Sequence, residues 1–230
     1  MNQNKLEESQ AFVASVAVVR HTIADKIIGV CTRSIQFLTS LVQRIDPSLS
    51  GMQQREVSGH HTVILTNLIE KLGDNLAKVR QASENALIAL CNHSAFGNAV
   101  CISNIVSHGS KAPAAGPKNA KKTMNSNKLI IGRYQTLARI LAEIPGIQQE
   151  HLQSSLDFAG QGLIHALQDV RQPAQKCIVE LYRYLGDEVR RTFGGLRQAQ
   201  IDQIETLLGE ADGGVGNYQA PQAQQRQEVI

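Results

Sequence analysis

A repeated turn limits what this chain can fold into more than any other feature. Leu68-Ile69, Leu72, Asp74 and Val79-Arg80-Gln81 recur as Leu163-Ile164, Leu167, Asp169 and Val170-Arg171-Gln172. After each Val-Arg pair come a small residue (Ser83, Ala174), an apolar one (Leu87, Ile178) and a leucine (Leu90, Leu181), at matched offsets. The pattern is that of a helical hairpin present at least twice. Such a hairpin buries its apolar face only against a neighbour, so copies must stack into an array.

The two arginines stand 91 positions apart, about twice the 40 to 47 residue period of a HEAT-type repeat, so one further repeat is expected between them. Hydrophobic residues make up 42% of the 230 residues, aromatics only 4%, and tryptophan is absent. The core is therefore built from Leu, Ile, Val and Ala, which suit close helix packing. The expected fold class is all-α: a HEAT-repeat α-solenoid of about five to six antiparallel helical hairpins.

Phe12, Val16, Val19 and Ile23 form a first helical stripe; Ile27, Ile28, Cys31, Ile35, Leu38, Leu41, Val42 and Ile45 form a second. Arg20 to Lys26 lies between them, with Asp25 as candidate N-cap. Asp46-Pro47-Ser48 and Gly51 break the pattern. A helix from about Gln54 to Leu72 then turns through Asp74 to Lys78 into the helix carrying Val79 to Leu90. A short helix through Val100, Ile102, Ile105 and Val106 follows and breaks at His108-Gly109.

Residues 109–127 hold glycines, prolines and lysines with almost no large apolar residue, and read as a disordered basic insertion. Leu129 to Ile144 reads as the second helix of the middle repeat. Leu152 to Leu167 and Val170 to Leu185 form the next hairpin, with Pro173 placed in the first turn of its helix. A last stretch from Val189 to Leu208 breaks at Gly194-Gly195, and residues 212–230 read as a disordered tail. The expected domain spans residues 1–211.

Nothing in the chain assembles a catalytic or metal-binding set. Cys31, Cys91, Cys101 and Cys177 are dispersed without a CxxC spacing and read as reduced, semi-buried thiols. His60 and His61 are adjacent, so on a helix they point about 100 degrees apart and are poorly placed to share a metal. No phosphate-binding glycine loop occurs in a strand-to-helix context. No enzyme activity, cofactor or metal is expected. The apolar run Ala11 to Val19 is too short to cross a bilayer, and the N-terminal residues carry no leader pattern, so a soluble intracellular chain is expected, without a membrane partner.

Between Glu84 and Glu143 there is no acidic residue, while Lys111, Lys118, Lys121, Lys122, Lys128, Arg133 and Arg139 fall there. This segment reads either as a positive surface for an acidic partner or as a solvated loop. Asp74 and Asp169 each precede a helix and are read as caps. In a stacked array the turns within hairpins line up along one edge. Arg20, His21, Lys26, Lys78, Arg80, Asn127, Lys128 and Arg171 would share that edge as a basic ridge. Arg80 and Arg171 fit equally a strut within the array or a direct contact.

A short HEAT array with basic aligned turns resembles a TOG domain, and more narrowly the TOG domains of the 104 kDa centrosomal protein family of cilia and centrioles. Leu163-Ile164-His165, Val170-Arg171, Ala174 and Leu181-Tyr182-Arg183 carry the likeness, with Val18-Val19-Arg20, Ile23, Asp25, Gly73-Asp74 and Val79-Arg80 in support. The resemblance covers roughly residues 10–211. It implies a non-catalytic module that binds α/β-tubulin through the basic turns, within a cytoskeletal protein of the cilium tip, flagellum, centriole or basal body that has other ciliary or centriolar partners. It also implies an aromatic, often a tryptophan, in the first turn. Either a further repeat precedes this chain or affinity rests on the basic turns alone. A HEAT scaffold holding a different protein or peptide is the alternative. Nucleic-acid binding through residues 109–128 is disfavoured by the lack of interleaved aromatics.

Overall fold

The computed structural model describes residues 3–45, 49–108 and 120–213. Among these, every regular element is helical: α1 (Gln3–Thr22), α2 (Ile28–Arg44), α3 (Gly51–Lys71), α4 (Ala77–Cys91), α5 (Asn98–Ser107), α6 (Ala120–Glu143), α7 (Gln149–Leu163), α8 (Gln168–Leu185), a 3-10 helix (Gly186–Phe193) and α9 (Gln198–Gly213). Successive helices pair as antiparallel hairpins. α1, α3, α5 and α7 pack one on the next in one layer, while α2, α4, α6, α8 and α9 do so in the other. The result is a HEAT-repeat α-solenoid whose core is the strip of Leu, Ile, Val, Ala and Cys side chains, joined by Phe12, Phe96, Tyr134, Phe158 and Phe193, trapped between the layers.

The further repeat expected between the two Val-Arg copies is α5 with α6, but it lacks their signature. Arg133, Thr136, Leu137, Ile140 and Leu141 of α6, with Ile144 just past its end, are buried at the spacing of Val170, Pro173, Ala174, Cys177, Ile178 and Leu181 in α8. An arginine thus stands where the other copies have a buried valine. Its Nε donates to the Ile105 carbonyl at 2.8 Å and its Nη2 to that of Val106 at 3.0 Å, meeting the negative end of α5. The guanidinium also lies 4.5 Å from the Phe158 ring centroid. Burial lowers its pKa to about 10, which leaves it charged at neutral pH.

Close approach at this centre requires small residues. A Cβ on Gly162 would come within 2.5 Å of the Ala174 Cβ and 2.6 Å of the Tyr134 Cζ. Tyr134 is buried, stacks on Phe158 at 4.4 Å and donates its hydroxyl to the Phe158 carbonyl at 2.9 Å. The thiol of Cys177 donates to the Tyr134 carbonyl at 3.1 Å. All four cysteines are buried and free, and burial raises the thiol pKa of Cys31 and Cys177.

Several boundaries differ from the sequence reading. α3 begins at Gly51, because Ser50 and Gln53 form a capping box in which each side chain accepts the other's backbone amide. α6 begins at Ala120, so residues 120–127, read as insertion, are helical; residues 109–119 lie outside the described residues. α8 begins at Gln168, which puts Pro173 in the second helical turn, where it forgoes one backbone hydrogen bond. α9 runs to Gly213, and residues 214–230 lie outside the described residues. Among the described residues no helix is long and apolar enough to cross a membrane.

Two predictions follow from the packing. Gly162→Ala should lower stability by about 1–3 kcal/mol, since backbone and the Tyr134 ring must shift; calorimetry would register this as a reduced Tm. His61 is buried, stacked on Phe96 at 4.4 Å, and burial lowers its pKa below the ordinary 6.5, as it does for His108. The unfolded chain then takes up protons first as pH falls below about 6.5, so stability is complete above that pH and declines beneath it. Denaturant midpoints measured from pH 7.5 to 5 should fall, and His61→Phe should flatten the fall.

Candidate functional site

The edge formed by the turns within hairpins is built by one repeated device. Asp25 Oδ1 accepts the Ile27 amide at 2.7 Å, Asp74 Oδ1 accepts that of Leu76 at 2.9 Å, and His165 Nδ1 accepts that of Leu167 at 3.1 Å. Ile27, Leu76 and Leu167 are the N-cap residues of α2, α4 and α8. Asp25 and Asp74 therefore act from two residues ahead of the cap. Asp169 does not: it lies inside the first turn of α8, and His165 does its expected work. The turns align cap to cap, a register four residues away from the one in which Asp169 pairs with Asp74.

The carbonyls of these turns are met from the other side. Arg80 Nη1 donates to the carbonyls of Asp74 and Asn75 at 2.8 and 3.0 Å, and Arg171 Nη1 to those of His165 and Ala166 at 2.8 and 2.7 Å. Both arginines are half-buried. Of the two roles open to them in sequence, the geometry makes them struts within their own turns. Cys31 holds the corresponding place in the α1–α2 turn, where its thiol donates to the Ile23 carbonyl at 3.2 Å.

The remaining ridge residues divide by exposure. His21, Lys26 and Lys78 are exposed; Asn127 and Lys128 are half-buried at the level of the α3–α4 turn, with Lys128 Nζ donating to Asn75 Oδ1 at 2.8 Å. Arg20 is half-buried and bridges α1 to α3 by donating to His60 Nδ1 at 3.4 Å. This arrangement fits a neutral His60, whose pKa is lowered by burial first and by Arg20 second. The packing of α1 on α3 and of α2 on α4 sets the α1–α2 turn beside the α3–α4 turn, and Lys128 joins the latter through Asn75. Of the cations between Glu84 and Glu143, Arg133 is buried, and Arg139 pairs with Glu84 at 3.2 Å and Glu143 at 2.9 Å.

The sequence reading missed the ridge's apolar component. Ile27 is 64% exposed, Ile28 56%, Leu76 45%, Ile164 62% and Leu167 45%. Ile27 and Ile28, taken as part of a buried stripe, instead face solvent because they initiate α2 at the turn. The available signal was the repeated triplet Asp25-Lys26-Ile27, Asp74-Asn75-Leu76 and His165-Ala166-Leu167, each ending in an aliphatic that the turn holds outward.

Other surfaces offer little chemistry. Among the described residues, no three His, Cys, Asp or Glu side chains are grouped so as to hold a metal ion. A cleft of about 720 Å³ lies towards the opposite edge, lined by Val42, Asn85, Ile88, Asn92, Arg139 and Glu143 among others.

Removing a strut tests its assignment. Arg80→Ala and Arg171→Ala should each cost about 1–3 kcal/mol of stability, because two turn carbonyls lose a charged donor; urea unfolding would measure it.

Residues 1–208 match the family described as XMAP215/Dis1/CLASP, TOG domain. The fold is similar to the TOG domain of human Cep104, with a TM-score of 0.62 and 19% identity over 89% of this chain and 76% of that one. It is similar also to Crescerin, described as using a TOG domain array to regulate microtubules in the primary cilium (TM-score 0.55, 13% identity, 86% and 75% covered). A third likeness is to a structure of tubulin recruitment by microtubule polymerases with TOG domain arrays (TM-score 0.65, 15% identity, 84% and 37% covered). No curated protein matches the chain by sequence.

Proposed function

Because the chain belongs to the XMAP215/Dis1/CLASP TOG-domain family, we propose that it is a non-catalytic module that binds the α/β-tubulin dimer along the edge formed by its hairpin turns. The observation that carries this reading is the recurrence, turn after turn, of an exposed aliphatic at the start of a helix, flanked by lysine in the first two turns: Lys26 with Ile27, and Leu76 with Lys78. Apolar anchors within a charged rim suit recognition of a protein surface. Lysines at the rim favour acidic surfaces such as those of tubulin.

In this reading Arg20, His21, Lys26, Lys78, Asn127 and Lys128 supply the polar contacts. Arg80 and Arg171 contribute by fixing the shape of the turns. The proposed setting is the cytoskeleton, at the cilium tip, flagellum, centriole or basal body, in a protein with other ciliary or centriolar partners. The likenesses to Cep104 and Crescerin support that setting.

The test is co-migration with tubulin dimers on a sizing column. At low salt the chain should co-elute with tubulin, and Lys26→Glu with Lys78→Glu should weaken binding about tenfold or more without lowering Tm. Added salt should weaken wild-type binding, since exposed charges are screened. Absence of binding at low salt would overturn the proposal. A HEAT scaffold that holds a peptide in the cleft around Asn85, Asn92 and Arg139 is the second reading, favoured by the size of that cleft. It predicts a partner whose capture is lost on Arg139→Glu and unaffected by the turn reversals.

A further inference from the structure

The ridge is not chemically uniform. In the α1–α2 and α3–α4 turns the exposed aliphatics sit beside exposed cations, Lys26 in the first and Lys78 in the second, with Lys128 next to Asn75. The α7–α8 turn also displays aliphatics, Ile164 at 62% and Leu167 at 45% exposed, yet its residues 164–170 include no lysine or arginine. Arg171, the next residue, has its Nη1 committed to the carbonyls of His165 and Ala166. Two residues beyond the cap, where the α3–α4 turn presents Lys78, this turn presents an exposed aspartate, Asp169.

We infer that the two ends of the ridge meet different chemistry on one bound tubulin dimer: the α1–α2 and α3–α4 turns engage an acidic surface, whereas Ile164 and Leu167 of the α7–α8 turn dock on an apolar surface that carries no excess of acid. This rests on the tubulin-binding reading and adds a polarity to it. Asp169 then fixes orientation, because a reversed ridge would set its carboxylate against the acidic half and like charges across an interface are costly. Exposed aliphatics gain from being covered, and that gain does not depend on ionic strength in the way ion pairs do. The lysine contacts do depend on it.

Salt dependence therefore separates the two ends. Affinity for purified tubulin dimers would be measured at about 50 and about 300 mM salt, for the wild type, Lys26→Ala with Lys78→Ala, Ile164→Ser with Leu167→Ser, and Asp169→Lys. All the replaced side chains are exposed, and thermal unfolding would verify that the variants fold. The serine pair should lose about tenfold at both salts and keep the wild-type salt dependence. The alanine pair should lose affinity at low salt and show a shallower dependence. Asp169→Lys should bind no tighter than wild type. If wild type binds and the serine pair is silent, or if Asp169→Lys gains several-fold in affinity, the division is wrong while tubulin binding stands. If wild type fails to bind at low salt, the tubulin reading falls and this division falls with it.

Discussion

Each hairpin turn exposes backbone amides and carbonyls that helix geometry leaves without partners, and the way they are satisfied shapes the rest of the molecule. An acceptor two residues ahead of the cap, Asp25, Asp74 or His165, takes the amide of the capping residue. A donor four residues beyond the cap, Arg80 or Arg171, closes the carbonyls, and Cys31 does so in the first turn. Amide and carbonyl are thus held by side chains of the turn's own hairpin. The capping aliphatics cannot fold inward and are left on the surface. A requirement of hydrogen bonding thereby produces a row of exposed aliphatics.

The same requirement changes how the Val-Arg signature should be understood. A charged residue that recurs at a turn invites a reading as a contact, and the position of Arg80 and Arg171 on the ridge reinforces it. Their Nη1 donors are spent on carbonyls within about 3 Å, and both side chains are half-buried. Their role is to hold the shape of the turn. The exposed cations are Lys26 and Lys78, neither of which belongs to the repeat signature. Repetition marked the residues the fold needs, and exposed charge fell to the positions between them.

Arg133 shows why the middle repeat lacks the Val-Arg signature. It takes the place of a buried valine, and its cost of burial is offset by two carbonyls at the end of α5 and by the face of Phe158. A sequence comparison by residue type sees an arginine out of register, while the packing sees an interior position that is filled and satisfied. Asp169 is the converse case. It pairs with Asp74 by residue type, but the register of the helices assigns that role to His165, because an imidazole nitrogen accepts an amide hydrogen as a carboxylate does.

By itself the sequence determined the array: apolar residues at helical spacing, interrupted by turn residues and repeated with a matched Val-Arg step, admit few arrangements other than stacked hairpins. It also led to the expectation that the basic turns share an edge, since antiparallel pairing places alternate connections together. Only the tertiary structure decided which of those residues face outward. Exposure at a turn depends on which backbone groups neighbouring side chains reach, and those distances are set by packing between helices far apart in the chain. Lys128 reaching Asn75, Arg20 reaching His60 and Arg133 reaching Ile105 are contacts across 53, 40 and 28 residues. Pairings at such separations follow from the register in which whole helices settle against one another, which no local pattern specifies.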